Sequence, residues 1–186
     1  MKKQENAPAV LGKRHPPMDA AKLTAKAVAL KLYAEKNKYN TNYALFIDFS
    51  VFSGTKRFVL YDLNKSKTVS TALVAHGQGK GNLFSEEVVF SNVNGSRCSS
   101  LGRYKIGTKY FGQFGHAYKL HGLNATNSNA FDRFVVLHSH ACVPLGESSF
   151  GICRSDGCPT LNPDYFERLQ KVLDKEKRPV LLEIYR

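Results

Sequence analysis

The sequence predicts a mainly β domain, a sandwich or partly open barrel, with one helix near each end. Three observations carry that expectation. From Tyr43 onward apolar residues alternate with a period of two, in short runs rich in β-branched and aromatic residues. Glycine- and asparagine-rich segments divide those runs. Helix-start signals stand near the two ends, with Asp19 behind the Pro16-Pro17 pair and Asn162 directly before Pro163.

Residues 1–18 are polar and basic, pass through His15-Pro16-Pro17, and read as a flexible arm ahead of a single domain spanning 19–186. In DAAKLTAKAVALKLYAEKNKYN, Leu23, Ala27, Leu30 and Ala34 recur at helical spacing. The spacing predicts an amphipathic helix over 19–39, capped by Asp19, ended by the Asn37-to-Asn40 stretch and lying on the main body. YALFIDFS, KRFVLYDL and TVSTALVAH follow as three consecutive antiparallel strands. Shorter strands are expected at 103–106, 117–120 and 133–138. A second helix runs from Pro163 to about Lys175, and PVLLEIY closes the chain as a buried strand.

A chain of 186 residues suits one full-sized core. Its 42% apolar, 11% aromatic and 23% charged residues are those of an ordinary globular domain. No run of about 18 apolar residues exists, so no membrane span is expected. The start, MKKQENAPAVLGKRHPP, has the lysines of a signal-peptide n-region without an apolar region behind them. Either another export route or a chain that begins after a removed signal accounts for that. The net charge of +12 favours anionic partners, an anionic wall polymer among them. Nine of the basic residues fall before residue 40 (Lys2, Lys3, Lys13, Arg14, Lys22, Lys26, Lys31, Lys36, Lys38), a run that reads first as a solvated face. No zinc finger, ribonucleoprotein motif or helix-turn-helix accompanies it, and nucleic acid is not an expected partner.

The chemistry concentrates in FVVLHSHACVPLGESSFGICRSDGCPTLNP, residues 134–163. An apolar strand delivers His138 at its end, and after 16 residues the chain returns to Ser155-Asp156-Gly157-Cys158. A nucleophilic thiol needs a base within hydrogen-bond reach, a rigid element holding that base, and backbone N–H groups facing the developing oxyanion. A glycine before the nucleophile permits close backbone approach. That layout predicts Cys158 as nucleophile with a depressed pKa and His138 as its base. Cys142 and Cys153 bracket the excursion and are either disulfide-bonded or two unpaired thiols.

His-Ser, an interval of this length, then Ser-x-Gly-Cys resembles the catalytic domain of the L,D-transpeptidases (YkuD-like), and most closely the branch called the murein L,D-transpeptidase catalytic domain family. FIDFS, KRFVLYDL, VAHGQGKG, FSNVNGSRCSSLG, YFGQFGHAYKLHGL and the Arg133 strand extend the likeness over about residues 43–185. The resemblance implies an L,D-transpeptidase-like β-sandwich or open barrel and a cysteine acyltransferase that needs no cofactor or metal. It also implies peptidoglycan stem peptides as substrates and an extracytoplasmic location in the periplasm or cell wall. Residue by residue, Cys158 would carry the acyl group and His138 would move the proton. The Ser139 carbonyl would orient the imidazole, Gly157 and Cys158 N–H groups would form much of the oxyanion hole, and Ser155 would brace the loop. A carbapenem-type β-lactam would acylate Cys158. The chain is expected to act as a monomer.

One position departs from the better-studied members: Asp156 stands where they carry a second histidine before the Gly-Cys pair. A carboxylate cannot donate to an oxyanion, so Asp156 is a loop cap or a contact for the acceptor amine. Further candidates are Arg154 and His140 beside the motif, and Tyr118 with Tyr110 and Phe111 as a wall for the stem peptide. His76 and His116 lie in glycine-rich loops, and Arg103, Lys105 and Arg133 could engage carboxylates. Three other readings compete. His138, His140, Cys142, Cys153 and Cys158 supply zinc-type ligands, though without a two-residue knuckle or H-E-x-x-H. The same fold resolving its acyl-enzyme with water would be a carboxypeptidase or amidase, including a secreted antibacterial effector. A non-enzymatic wall-binding module would leave Cys158 inert and buried.

Overall fold

The computed structural model describes residues 15–79 and 87–186. Most of the expected basic arm, residues 1–14, and part of the Gly77–Gly81 segment fall outside them. Eleven elements follow in order: α1 (Ala20–Lys36), β1 (Tyr43–Asp48), β2 (Phe58–Asp62), β3 (Lys67–Ala72), β4 (Val74–Ala75), β5 (Gly102–Gly112), β6 (Gly115–Gly122), β7 (Val136–Ser139), β8 (Thr160–Leu161), α2 (Pro163–Leu173) and β9 (Leu181–Tyr185).

The nine strands among the described residues join one sheet in the order β3-β2-β1-β9-β5-β6-β7-β8-β4. Only Leu73 separates β3 from β4 in the chain, yet these strands end the two opposite edges. The sheet must therefore curl until its edges approach, which makes a nearly closed barrel rather than a two-sheet sandwich. The expected strand TVSTALVAH is broken at this switch. Pairings are antiparallel except β1 with β9 and β7 with β8.

Alternation sorts the side chains to two sides. Leu45, Ile47, Phe58 and Leu60 join Tyr104, Leu120, Leu137, Leu182 and the α2 residues Tyr165, Phe166 and Leu169 in the barrel core. Ala44, Phe46, Val59, Tyr61 and Leu181 face outward into a second core under α1. The buried residues of α1 are Leu23, Ala27, Leu30 and Ala34, the four that the helical spacing picks out. Asp19 caps that helix, accepting from the N–H groups of Ala21 and Lys22 at 2.8 and 3.0 Å. The lysine run is only partly a solvated face. Lys26 pairs with Glu183 at 2.8 Å, Lys22 lies 3.6 Å from Asp48, and Lys31 donates to the Leu63 carbonyl. Buried carboxylates under the helix draw the Lys22 and Lys26 ammonium groups inward.

Two strands are longer than expected and one starts later. β5 and β6 form a hairpin whose outer face is solvated, so its distal half, KYFG and GHAY, lacks an apolar signature. β7 starts at Val136 because Phe134 takes a left-handed backbone conformation, φ 56°, after the turn at 131–134.

Candidate active site

β7 carries the site. His138 pairs with Ala117 of β6 on one side and with Thr160 of β8 on the other. Leu137, between its neighbours, points into the barrel core, so Val136 and His138 face outward. The imidazole is nonetheless only 5% exposed, because Phe114 from the β5–β6 turn stacks on it at 4.7 Å between ring centroids. Nδ1 lies 3.1 Å from the Ser139 carbonyl and Nε2 3.0 Å from Thr160 Oγ1. Burial pushes the His138 pKa below its ordinary value; the Ser139 carbonyl works against that, and His140 adds to it.

Cys158 sits beside the start of the same strand. Its sulfur accepts the Val136 N–H at 3.4 Å and lies 3.7 Å from the Phe134 carbonyl. Burial raises its pKa above the ordinary thiol value; the Val136 N–H and Arg133 lower it, and Asp156 raises it further. This reverses the depressed pKa expected from the sequence. Desolvation outweighs the partners the sulfur has here, and both His138 nitrogens bond to other groups. Both shifts favour the uncharged forms, a thiol and an imidazole, over an ion pair. Both line one pocket of about 250 Å³ with Gln78, Phe114, His140, Arg154, Ser155 and Asp156.

The loop before Cys158 is fastened by several contacts. Ser155 donates its hydroxyl to the Cys158 carbonyl at 2.6 Å, bracing the turn. Gly157 has φ 119°, and a Cβ there would lie 2.9 Å from the Cys98 carbonyl oxygen. A glycine is required by its own backbone and by this neighbour as much as by any substrate. The Gly157 N–H donates to Ser155 Oγ at 3.2 Å. Of the two donors expected at an oxyanion, only that of Cys158 has no acceptor among the described residues. Asp156 is exposed, accepts from Gln78 Nε2 at 2.5 Å and lies 3.8 Å from Arg97, so it ties loops together.

Cys142 and Cys153 form a disulfide, with Cα atoms 6.0 Å apart, which resolves the two alternatives in favour of pairing. Two of the five suggested zinc ligands are thereby consumed as a bridge. Among the described residues no cluster of three metal-ligating side chains remains.

Several candidates lie elsewhere. Tyr118 belongs to the barrel core, paired with Leu137, and donates its hydroxyl to Asp174 at 2.5 Å. A one-residue offset from Ala117 sends it to the opposite face from His138, so it does not wall the Cys158 pocket. With Lys105, it lines a separate basic cleft of about 400 Å³ between β5 and the 173–180 segment. His76 is buried, held at 2.8 Å by Arg57, and its pKa falls to about 3 through burial and the nearby Arg57 and Arg154. Arg103 pairs with Glu183. Arg133 donates to Cys98, Ser91, Ser96 and Ser100 and organises the 91–100 loop beneath Gly157. His116 and Phe111 meet edge to face at the hairpin end. His140 lies beyond the end of β7, with Nδ1 accepting the Cys142 N–H.

Thr160, Phe114 and Ser99 carry no signal in the sequence. Ser99 accepts from Gly77 N–H and donates to the Gly157 carbonyl. Only strand register brings Thr160 opposite His138, and only the hairpin's length brings Phe114 over it.

The fold and site together define a curled β domain whose outer face holds a thiol and an imidazole in one pocket. The family model for the L,D-transpeptidase catalytic domain matches residues 15–182, and the chain belongs to that family. Among solved structures it is similar to the helical cell shape determining protein Pgp2 (K307A mutant) of Campylobacter jejuni. Identity there is 13%, coverage is 78% of this chain and 48% of that one, and the TM-score is 0.50. The Ldtfm–avibactam carbamoyl enzyme matches at 10% identity, over 78% of this chain and 49% of that one, with a TM-score of 0.48. This chain spans about half the length of either. No curated protein matches.

Proposed function

We propose that this chain is a cysteine-dependent L,D-transpeptidase that joins peptidoglycan stem peptides through an acyl-enzyme on Cys158. The observation that carries this reading is the shared pocket of Cys158 and His138 on the outer face of β7, in a chain of this family. The donor is a tetrapeptide stem, cleaved between its third residue and the terminal D-alanine. The sulfur attacks that carbonyl while its proton passes to His138. With Nδ1 on the Ser139 carbonyl, Nε2 is the nitrogen that takes it, exchanging its contact with Thr160. The Cys158 N–H supports the oxyanion. The C–N bond breaks, the protonated imidazole gives its proton to the departing D-alanine amine, and the acyl group stays on sulfur. An acceptor amine then attacks the thioester and releases the thiol.

Because burial favours the uncharged thiol, deprotonation accompanies attack rather than preceding it. The neutral imidazole that such a step requires is the form burial favours. Arg154 and His140 line the donor pocket. The chain works outside the cytoplasm as a monomer, and its basic charge holds it near anionic wall polymer. Incubation with purified disaccharide-tetrapeptide tests the reading. Cross-linked dimer that disappears in Cys158→Ala is expected. Tripeptide alone at high substrate concentration would make the protein a hydrolase, and no product at all would leave a wall-binding module.

A further inference from the structure

We propose that Ser99 is a positioning residue for the oxyanion: its buried hydroxyl polarises the Gly157–Cys158 amide from behind and strengthens the Cys158 N–H as a donor. This deepens the transpeptidase reading and rests on Cys158 as the acyl carrier.

Three stretches of backbone meet behind the nucleophile, residues 76–78, 97–99 and 155–158. The first and third form a parallel bridge. In it the Ser155 N–H donates to the His76 carbonyl and the Gln78 N–H to the Ser155 carbonyl, both at 2.8 Å. The second stretch packs against both of them. A Cβ on Gly77 would run into the Arg97 carbonyl oxygen, and one on Gly157 would lie 2.9 Å from that of Cys98. The Ser99 hydroxyl bonds to Gly77 on one side and Gly157 on the other, and the residue is only 1% exposed.

Hydrogen-bond chemistry fixes the direction of that hydroxyl's proton. The Gly77 N–H, 2.9 Å away, can only donate, so the Ser99 oxygen accepts there. The Gly157 carbonyl, 3.1 Å away, can only accept, so the hydroxyl proton points at it. The Gly77 N–H, the Ser99 hydroxyl and the Gly157–Cys158 amide thus form one head-to-tail chain whose last donor is the Cys158 N–H. Each bond in such a chain polarises the next, and burial keeps water from screening it. The Cys158 N–H has no acceptor among the described residues, while the Gly157 N–H is taken by Ser155 Oγ. An oxyanion served by a single backbone donor gains more from support of that donor than one shared between two.

The strip that carries Ser99 is itself held in place. The Ser91 N–H donates to the Ser99 carbonyl at 3.0 Å. Arg133 donates from Nη2 to the Cys98 carbonyl at 2.7 Å and from Nη1 to Ser100 Oγ at 2.6 Å. The polarisation matters only as negative charge grows on the substrate carbonyl oxygen, so it belongs in kcat rather than KM.

The test gives the full chain, Ser99→Cys and Ser99→Ala a disaccharide-tetrapeptide donor isotope-labelled at its third-residue carbonyl. Rapid-mixing infrared spectroscopy reads the acyl-enzyme carbonyl, whose frequency rises as its hydrogen bond weakens. The frequency should rise in the order serine, cysteine, alanine, since a thiol donates more weakly than a hydroxyl and a methyl not at all. In the same order kcat should fall, by roughly three- to tenfold for alanine, less than the loss of a whole oxyanion donor, with KM held. Ser100→Ala is the structural control. Its hydroxyl joins Arg133 to the Ser91 carbonyl without bonding to Gly157, so frequency and kcat should stay as in the parent chain. An unmoved frequency in Ser99→Ala, a change confined to KM, or an equal shift in Ser100→Ala overturns the proposal. Without substrate, the NMR signal of the Cys158 amide proton should move upfield across the same series, and its failure to move overturns the proposal too. Where Ser99→Ala does not fold, the nearly isosteric cysteine variant carries both readings. A parent chain that forms no acyl-enzyme instead sinks the transpeptidase reading, and the amide shift still decides the role of Ser99.

Discussion

The two halves of the curled sheet carry the same strand geometry and opposite surfaces. In the β2-β1-β9 half nearly every residue is buried on both sides, because α1 covers the outer face and α2 helps fill the interior. In the β5-β6-β7 half the interior is equally apolar, but the outer face is open and mixed, with Lys119, His138 and Phe114 on it. The difference teaches that one architecture serves two purposes here. Where a helix closes the outer face, strand residues contribute stability; where none does, they are available for chemistry. His138 sits in the open half on a strand whose rigidity is supplied from behind, and Cys158 lies in the loop beside that strand.

Substitutions in the two halves should therefore separate activity from stability, and the largest effect belongs to the open half. His138→Ala should lower turnover by about 10²–10⁴-fold, the usual worth of general acid–base catalysis, with urea unfolding changed far less. The pH profile sharpens this. His138 is shifted down and Cys158 up, so turnover should rise as pH climbs through a value below the ordinary imidazole range and hold through neutral pH. Alkylation of Cys158, which follows the thiolate, should rise only above the ordinary thiol range. An alkylation midpoint below that range would restore the ion pair and contradict the uncharged thiol that burial favours.

In the covered half, Phe46→Ala removes a fully buried ring from the core under α1. It should cost about 3–5 kcal/mol by denaturant unfolding, with turnover per folded molecule unchanged at low temperature. Equal losses of both would show that the halves are not separable. Reduction of the Cys142–Cys153 bridge should remove about 2–3 kcal/mol, as expected for closing so short a loop. Gly157→Ala forces a strained φ and a contact with Cys98, costing about 1–3 kcal/mol, and it should impair turnover as well because the displaced residue adjoins the sulfur. The smallest effect is at the rim of the cover. Asp19→Ala removes the N-cap of α1 and should cost about 1 kcal/mol without touching turnover.

Local rules determined much of this protein from sequence alone. Spacing picked out Leu23, Ala27, Leu30 and Ala34 as the buried stripe of α1, since helical periodicity depends only on residues a few places apart. Both helix caps and the period-two strands were legible for the same reason, and the motif with its resemblance gave the family. Tertiary structure decided what depends on partners distant in the chain. Whether the strands formed a sandwich or a barrel turned on β3 and β4 reaching opposite edges. Tyr118 and Ala117 are neighbours in sequence, and only pairing with β7 sends one to the core and the other to the His138 face. Register alone brings Thr160 to the imidazole, and desolvation, a property of the assembled loops, turns the thiol's pKa upward. Sequence fixes which groups are available, but burial and register, sums over residues far apart in the chain, decide which of them meet and in what charge state.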